Sequence, residues 1–183
     1  MFLRRVLAAS LVVALLPFGS AESDAAKRRD PCVSALPTSL EKVINQHHPN
    51  WKIVTLESLG GYEDLYQEDD KNGCPGVAKV NFYGDGRVVY AIVLIKEAPG
   101  KVSSQLIMAQ LNKVNQWELT TLLDLDDGCA CPVVAEPPGE YRNVHGKRTL
   151  KSKGEVILHF QYESWAIVFA WTGEKIDQTH IKD

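Results

Sequence analysis

Cys32, Cys74, Cys129 and Cys131 are the side chains of this 183-residue sequence with the widest choice of chemistry: disulfide, metal thiolate or nucleophile. Spacing separates these options. There is no CxxC, and no His stands within zinc-motif distance of a thiol, so disulfides are expected, with three connectivities open. Pairing Cys129 with Cys131 would close a very small ring across Ala130. The expectation is therefore one bond from each of them to the distant Cys32 and Cys74, stapling the N-terminal arm and the Cys74 loop to the 129–131 loop. With all four thiols in bonds, none remains as a nucleophile.

The carboxylates cluster twice. Glu63, Asp64, Glu68, Asp69 and Asp70 share one turn-rich stretch, and Asp124, Asp126 and Asp127 precede Gly128-Cys129. If the cysteines tie these loops together, eight acids occupy one end of the fold. Such a patch would attract a basic protein by long-range steering or hold calcium, although solvated loops are rich in Asp and Glu for no other reason than turn chemistry. Arg142, Lys147, Arg148, Lys151 and Lys153 surround a short strand, the pattern of a protected sheet edge rather than an anion site. The histidines, at 47, 48, 145, 159 and 180, form no HExxH or HxH pair. His159 with Glu163 would be the nearest approach to a catalytic pair, and His145 the next candidate, but no GxSxG elbow accompanies them. No catalytic residue, metal set or cofactor motif is assigned.

Asn81-Phe82-Tyr83-Gly84-Asp85-Gly86 is similar to the calcium-holding loop of secreted FG-GAP and related repeats. It departs from that loop at the ligand positions: Asn81 stands first, Tyr83 third, and Ile92 lies where a Glu would close the set. A plain hairpin turn is the expectation. Over a longer span, HPNWKIVTL, CPGVAKVNFYGDGRVVYAIVLI and SWAIVFAWTG resemble a group of uncharacterised exported bacterial proteins, and that resemblance implies no activity.

The N-terminus accounts for the export. Arg4 and Arg5 precede an apolar run from Val6 to Leu16, then Pro17, then Gly19-Ser20-Ala21 with small residues at −3 and −1. This reads as a signal peptide cut after Ala21, and its run of eleven is too short to span a bilayer. A periplasmic or secreted location follows, where disulfides are the default. Without residues 1–21, which carry two arginines and no acid, 162 residues remain and the formal charge moves from −3 to −5. That length supports one domain with a core of its own, and the mild acidity argues against a nucleic-acid binder. No later segment has membrane-spanning length.

These residues must be positioned by a sheet. After a flexible lead over 22–35, Leu40, Val43, Ile44 and His47 recur at helical spacing behind a capping sequence Thr38-Ser39-Leu40-Glu41, and Pro49 ends the pattern. Trp51 to Leu56 alternates as a first strand, and a helical turn is expected around Tyr62 to Tyr66. From Val77 the period is two: hairpins turn at Gly84-Asp85-Gly86 and Lys113-Val114-Asn115, and strands follow at 148–151, 155–162, 165–171 and 175–181. Trp165, Ile167, Phe169 and Trp171 alternate with Ala166, Val168 and Ala170, so both faces of that strand are covered and it is central, with the helix or a loop across one side. The fold class expected over 36–183 is α+β: one N-terminal helix packed on a large, mostly antiparallel, meandering sheet of about seven or eight strands.

On this reading the protein is an exported, disulfide-stabilised binding module, an inhibitor or immunity protein acting on a toxin or hydrolase outside the cytoplasm, with a basic protein as the expected partner. The alternatives are a hydrolase using His145 and His159, or a calcium-dependent surface protein.

Overall fold

A computed structural model describes residues 31–69, 73–126 and 128–182. The signal segment, the lead up to residue 30, Asp70 and Asp127 lie outside the described residues.

Five strands, β1 (Lys52–Ile53), β2 (Val77–Val80), β3 (Val89–Ala98), β4 (Lys101–Leu111) and β5 (Trp117–Leu125), form one antiparallel sheet in the order β1-β3-β4-β5, with β2 lying beside β1 on the same edge of β3. The two expected hairpins form. Val80 pairs with Val89 across the 81–88 turn, where Gly84 and Gly86 take positive φ, and Leu111 pairs with Trp117 across a turn in which Asn115 does so. A further hairpin at Pro99-Gly100 joins β3 to β4.

The expectation of one meandering sheet needs correction. After β5 the chain leaves the first sheet and from Val133 builds a second, four-stranded one in the order β11-β10-β9-β6, made of β6 (Val133–Glu136), β9 (Val156–Phe160), β10 (Ala166–Trp171) and β11 (Ile176–Lys182). A two-stranded ribbon, β7 (Glu140–Arg142) with β8 (Thr149–Lys151), lies against it. The described residues thus hold eleven strands in three sheets. Strands β6 and β7 lie in a stretch for which no strand was expected: Pro132 and Pro137 bracket four residues that still pair with β9.

The described residues hold two α-helices rather than one. In α1 (Thr38–His47) the expected side-chain cap is absent; Pro37, at φ −62 and ψ 139, is the N-cap, and its carbonyl accepts from Leu40 and Glu41. Proline's fixed φ sets the entry geometry, so Thr38 becomes the first helical residue. Leu36, Leu40 and Ile44 lie one above another and pack on Ile92, Leu94, Ile107 and Ala109 of the first sheet. The short α2 (Glu63–Glu68) buries Tyr66 on the opposite face of that sheet.

The main core fills the space between the two large sheets: Val80, Phe82, Val93, Leu106 and Met108 from the first meet Val133, Ile157, Ile167 and Phe169 from the second. β10 is central, as expected, with β9 and β11 on either side. Its outer face, Val168 and Ala170, is covered by Tyr141 and Leu150 of the ribbon, not by α1. The ribbon's charges are paired across that cover, Lys151 with Glu140 at 2.6 Å and Arg148 with Asp177. The sheets are also latched at one point. Glu155 N–H donates to the Asn81 carbonyl and the Glu155 carboxylate accepts from Asn81 N–H at 2.6 Å, while a Cβ on Gly154 would meet the Asn81 carbonyl at 2.4 Å.

The cysteine expectation is overturned. Cys32 pairs with Cys74, and Cys129 with Cys131, with Cα separations of 4.6 and 5.2 Å. The backbone around the single intervening alanine is not strand, and its Cα separation, shorter than the roughly 6.6 Å of an extended pair, brings the two side chains within bonding reach. In a chain-entropy account the 42-residue separation of the first pair stabilises the fold by roughly 4 kcal/mol, the short ring of the second by about 1.5 kcal/mol. Cys32 sits in a 3-10 turn, Pro31–Ser34, so the end of the lead is fastened to the fold.

Candidate functional site

The length of α1 decides where the first sheet stays open. Ten residues of helix extend about 15 Å, whereas the eleven residues of β4 extend about 36 Å. Whatever its crossing angle, α1 leaves part of that face uncovered. Beyond its N-terminus lies a groove of about 470 Å³ lined by Pro37, Arg87, Val88, Tyr90, Leu111 and Trp117. The register explains the set: Tyr90 is opposite Ala109 and Leu111 opposite Trp117, so these side chains continue the apolar row that α1 covers further along.

Three of the five exposed large hydrophobic residues among those described meet here: Val88 (53% exposed), Leu111 (44%) and Val114 (70%). An adjoining open cleft of about 650 Å³ shares Arg87, Gln110 and Leu111 with the groove and adds Lys113, Val114 and Glu118. The aromatic wall of the groove is fixed. The Trp117 indole N–H donates to Ser39 Oγ at 3.0 Å, and the ring meets Tyr90 edge to face at 5.7 Å between centroids. Arg87 is held at the rim by Asp85 at 2.6 Å and lies over the Tyr83 ring; the hydrogen bonds from Arg87 keep the Asp85 carboxyl below its ordinary pKa. In the same turn the Asn81 side-chain oxygen accepts from Gly86 N–H. The oxygens that a calcium loop would offer are thus engaged in building the hairpin.

The other end of β4 is built differently. Gly128 N–H donates to the Val102 carbonyl at 2.7 Å, the crossover continues through the 129–131 disulfide, and the Pro132 carbonyl faces His159 Nδ1 at 3.0 Å. A carbonyl only accepts, so Nδ1 carries the proton. His159 is 1% exposed, packs edge to face on Trp165 at 5.0 Å, and is pushed down by burial to a pKa of about 4. The buried ring is therefore uncharged at neutral pH, with Nδ1 engaged by backbone. His145 lies instead near His180, 6.3 Å between rings, on the ribbon side of β11. A small cavity of about 110 Å³ is lined by Leu59, Tyr62, Cys129, Cys131 and Tyr162. Tyr62 and Tyr162 stack at 5.3 Å, and the Tyr162 hydroxyl has no hydrogen-bond partner among the described residues.

The six described carboxylates of the two clusters are held by different elements around this second end. Glu63, Asp64, Glu68 and Asp69 run along α2 and its C-cap; Asp69 acts on Tyr162, whose pKa is raised by burial first and by that charge second. α2 does approach the 129–131 loop, through Tyr62 and not through a disulfide. Asp124 lies on the opposite face of the first sheet, accepting from Gln105 Nε2 at 3.0 Å near His48, and Asp126 pairs with Lys101 at 3.9 Å. The basic residues of the ribbon do not gather into an anion site; Arg148 and Lys151 are spent on Asp177 and Glu140.

Reading the sequence for chemistry missed Val88, Leu111, Val114 and Trp117. One signal was present: a β-branched valine at the tip of Lys113-Val114-Asn115, where turns ordinarily place polar residues. Compared with known proteins, the chain matches no family model, no curated protein and no solved structure.

Proposed function

We propose that this chain is an exported, disulfide-stabilised binding module that docks a protein partner, of the inhibitor or immunity type, at the hairpin end of its first sheet. The observation that carries it is the gathering of Val88, Leu111 and Val114 beside a rigid Trp117–Tyr90 wall, rimmed by Arg87, Lys113 and Glu118. Exposed aliphatic anchors beside an aromatic held by hydrogen bonding, inside a charged rim, are what a protein interface requires. The signal-peptide pattern of residues 1–21 and the two disulfides support action outside the cytoplasm. No helix among the described residues is long and apolar enough to cross a membrane. The acids on α2 and β5 serve this reading at a distance, steering a basic partner without touching it.

The test is a capture from the exported fraction followed by calorimetry with the purified partner. A one-to-one complex that weakens at least a hundredfold in Leu111→Asp/Val114→Asp, with melting temperature unchanged, supports the reading. Equal binding by that variant overturns it. Loss of equilibrium binding on changing Glu63, Asp64 and Glu68 to Gln, with Leu111 and Val114 intact, moves the interface to α2.

A further inference from the structure

The crossover between the sheets holds a second kind of chemistry, independent of docking at the hairpin end. Both disulfides are made, but they differ in what surrounds them. Cys32–Cys74 closes 42 residues of separation, Cys74 is 3% exposed, and both sulfurs lie 3.6 Å from the Val54 carbonyl. Cys129–Cys131 spans one alanine and lines an open-mouthed cavity. In that pair Cys131 is 3% exposed while Cys129 is partly exposed, so an incoming thiol meets Cys129 and leaves Cys131 as the departing sulfur. The short ring restrains the unfolded chain least, so opening it costs the fold least. The flanks are held by bonds other than the disulfide: Gly128 N–H on Val102, Pro132 on His159 and Phe160, and Val133 N–H on Pro75. Tyr162, whose hydroxyl has no partner among the described residues, lines the same cavity as both cysteines.

We propose that Cys129–Cys131 is a thiol–disulfide exchange site that accepts two electrons from an exported dithiol, with Tyr162 as the positioning residue for the thiolate released. The cavity, about 110 Å³, admits a single thiol-bearing side chain or a small thiol. The donor thiolate attacks Cys129 Sγ, the Cys129–Cys131 bond breaks, and its electron pair leaves on Cys131 Sγ. The donor's second thiolate then attacks the donor sulfur of the mixed disulfide and expels Cys129. The donor ends as a disulfide, having lost two electrons and two protons; Cys129 and Cys131 end as thiols, having gained them. Cys32–Cys74 takes no part.

The experiment treats the folded full-length protein with limiting dithiothreitol, quenches with iodoacetamide at intervals, and maps the alkylated peptides. The expected result is alkylation of Cys129 and Cys131 at least tenfold faster than Cys32 and Cys74, with one equivalent of dithiothreitol oxidised per chain. Opening of both bonds at the same rate, or opening of either only after denaturant is added, overturns the proposal. Oxidised glutathione supplies the second measurement: it should form an adduct with the free thiol of Cys131→Ala more than tenfold faster than with that of Cys129→Ala, and the reverse order overturns the assignment of the attacked sulfur. Tyr162→Phe should shift the pH profile of alkylation of the reduced pair upward without moving the melting temperature; an unmoved profile removes Tyr162 from its role. Leu111→Asp/Val114→Asp should exchange as fast as the parent, keeping this test separate from the docking test.

Discussion

The two ends of β4 invert each other. At Leu111 the sheet runs out from under a short helix and leaves aliphatic side chains in water, beside an indole pinned by Ser39. At Lys101 the chain instead folds back through the crossover, and the groups there are more enclosed: a disulfide with one buried sulfur, partly buried stacked tyrosines and a histidine whose pKa burial lowers to about 4. Openness at one end results from an element that is too short, and closure at the other from a loop with several anchors. A surface can thus be made by leaving a core unfinished, and a reactive group can be kept by finishing the core around it.

The largest test removes what both ends share. Val168 is fully buried in the central strand of the second sheet, and Val168→Asp places an unpaired charge between that sheet and the ribbon. The loss should exceed about 4 kcal/mol and abolish soluble expression, and normal yield would mean that β10 is not central. Next come the disulfides. Cys32→Ala/Cys74→Ala should lower the melting temperature by about 10 °C, from a loss of roughly 4 kcal/mol, and Cys129→Ala/Cys131→Ala by only a few degrees. Equal losses would erase the distinction between a structural bond and an expendable one.

A third test touches only the closed end. His159 has a pKa of about 4 when folded against an ordinary 6.5, so between those values the unfolded chain binds the extra proton. Stability contributed by the neutral form is therefore complete above pH 6.5 and is lost as pH falls toward 4, by roughly 3 kcal/mol. His159→Asn keeps an amide donor for the Pro132 carbonyl and should flatten that slope in denaturant titrations across pH 4 to 7. The smallest effect on stability belongs to the open end, where Leu111→Asp/Val114→Asp should change unfolding free energy by no more than about 0.5 kcal/mol per site. A larger fall would show that the exposed apolar row is packed after all.

What could be read from the sequence follows the range of the interactions. The 84–86 turn and the 113–115 turn announce themselves because glycine and asparagine supply positive φ within a few residues. The alternation from Trp165 to Trp171 likewise gave both covered faces of β10. The division into two sheets had no such local signature, since a period of two reveals that residues are strands and not which neighbours they choose. The cysteine pairing was misjudged for a related reason: spacing exposes the smallness of the 129–131 ring but not the backbone bend that brings the two Cα atoms to 5.2 Å. The open end left only the valine at the 113–115 tip as a signal, because it is a difference of lengths between α1 and β4. His159 could be placed on a strand, whereas its burial depends on the crossover that carries Pro132 past it.

Each large sheet is written in one contiguous stretch, residues 52–125 and then 133–182. Assembly can therefore follow the chain. The first sheet, its helix and the Cys32–Cys74 bond need nothing from the second half, while Val93, Leu106 and Met108 stay bare until Ile157, Ile167 and Phe169 arrive. During that interval the half-built protein presents a broad apolar sheet face, and it is then, before the second sheet closes over it, that a chaperone would have the most to hold.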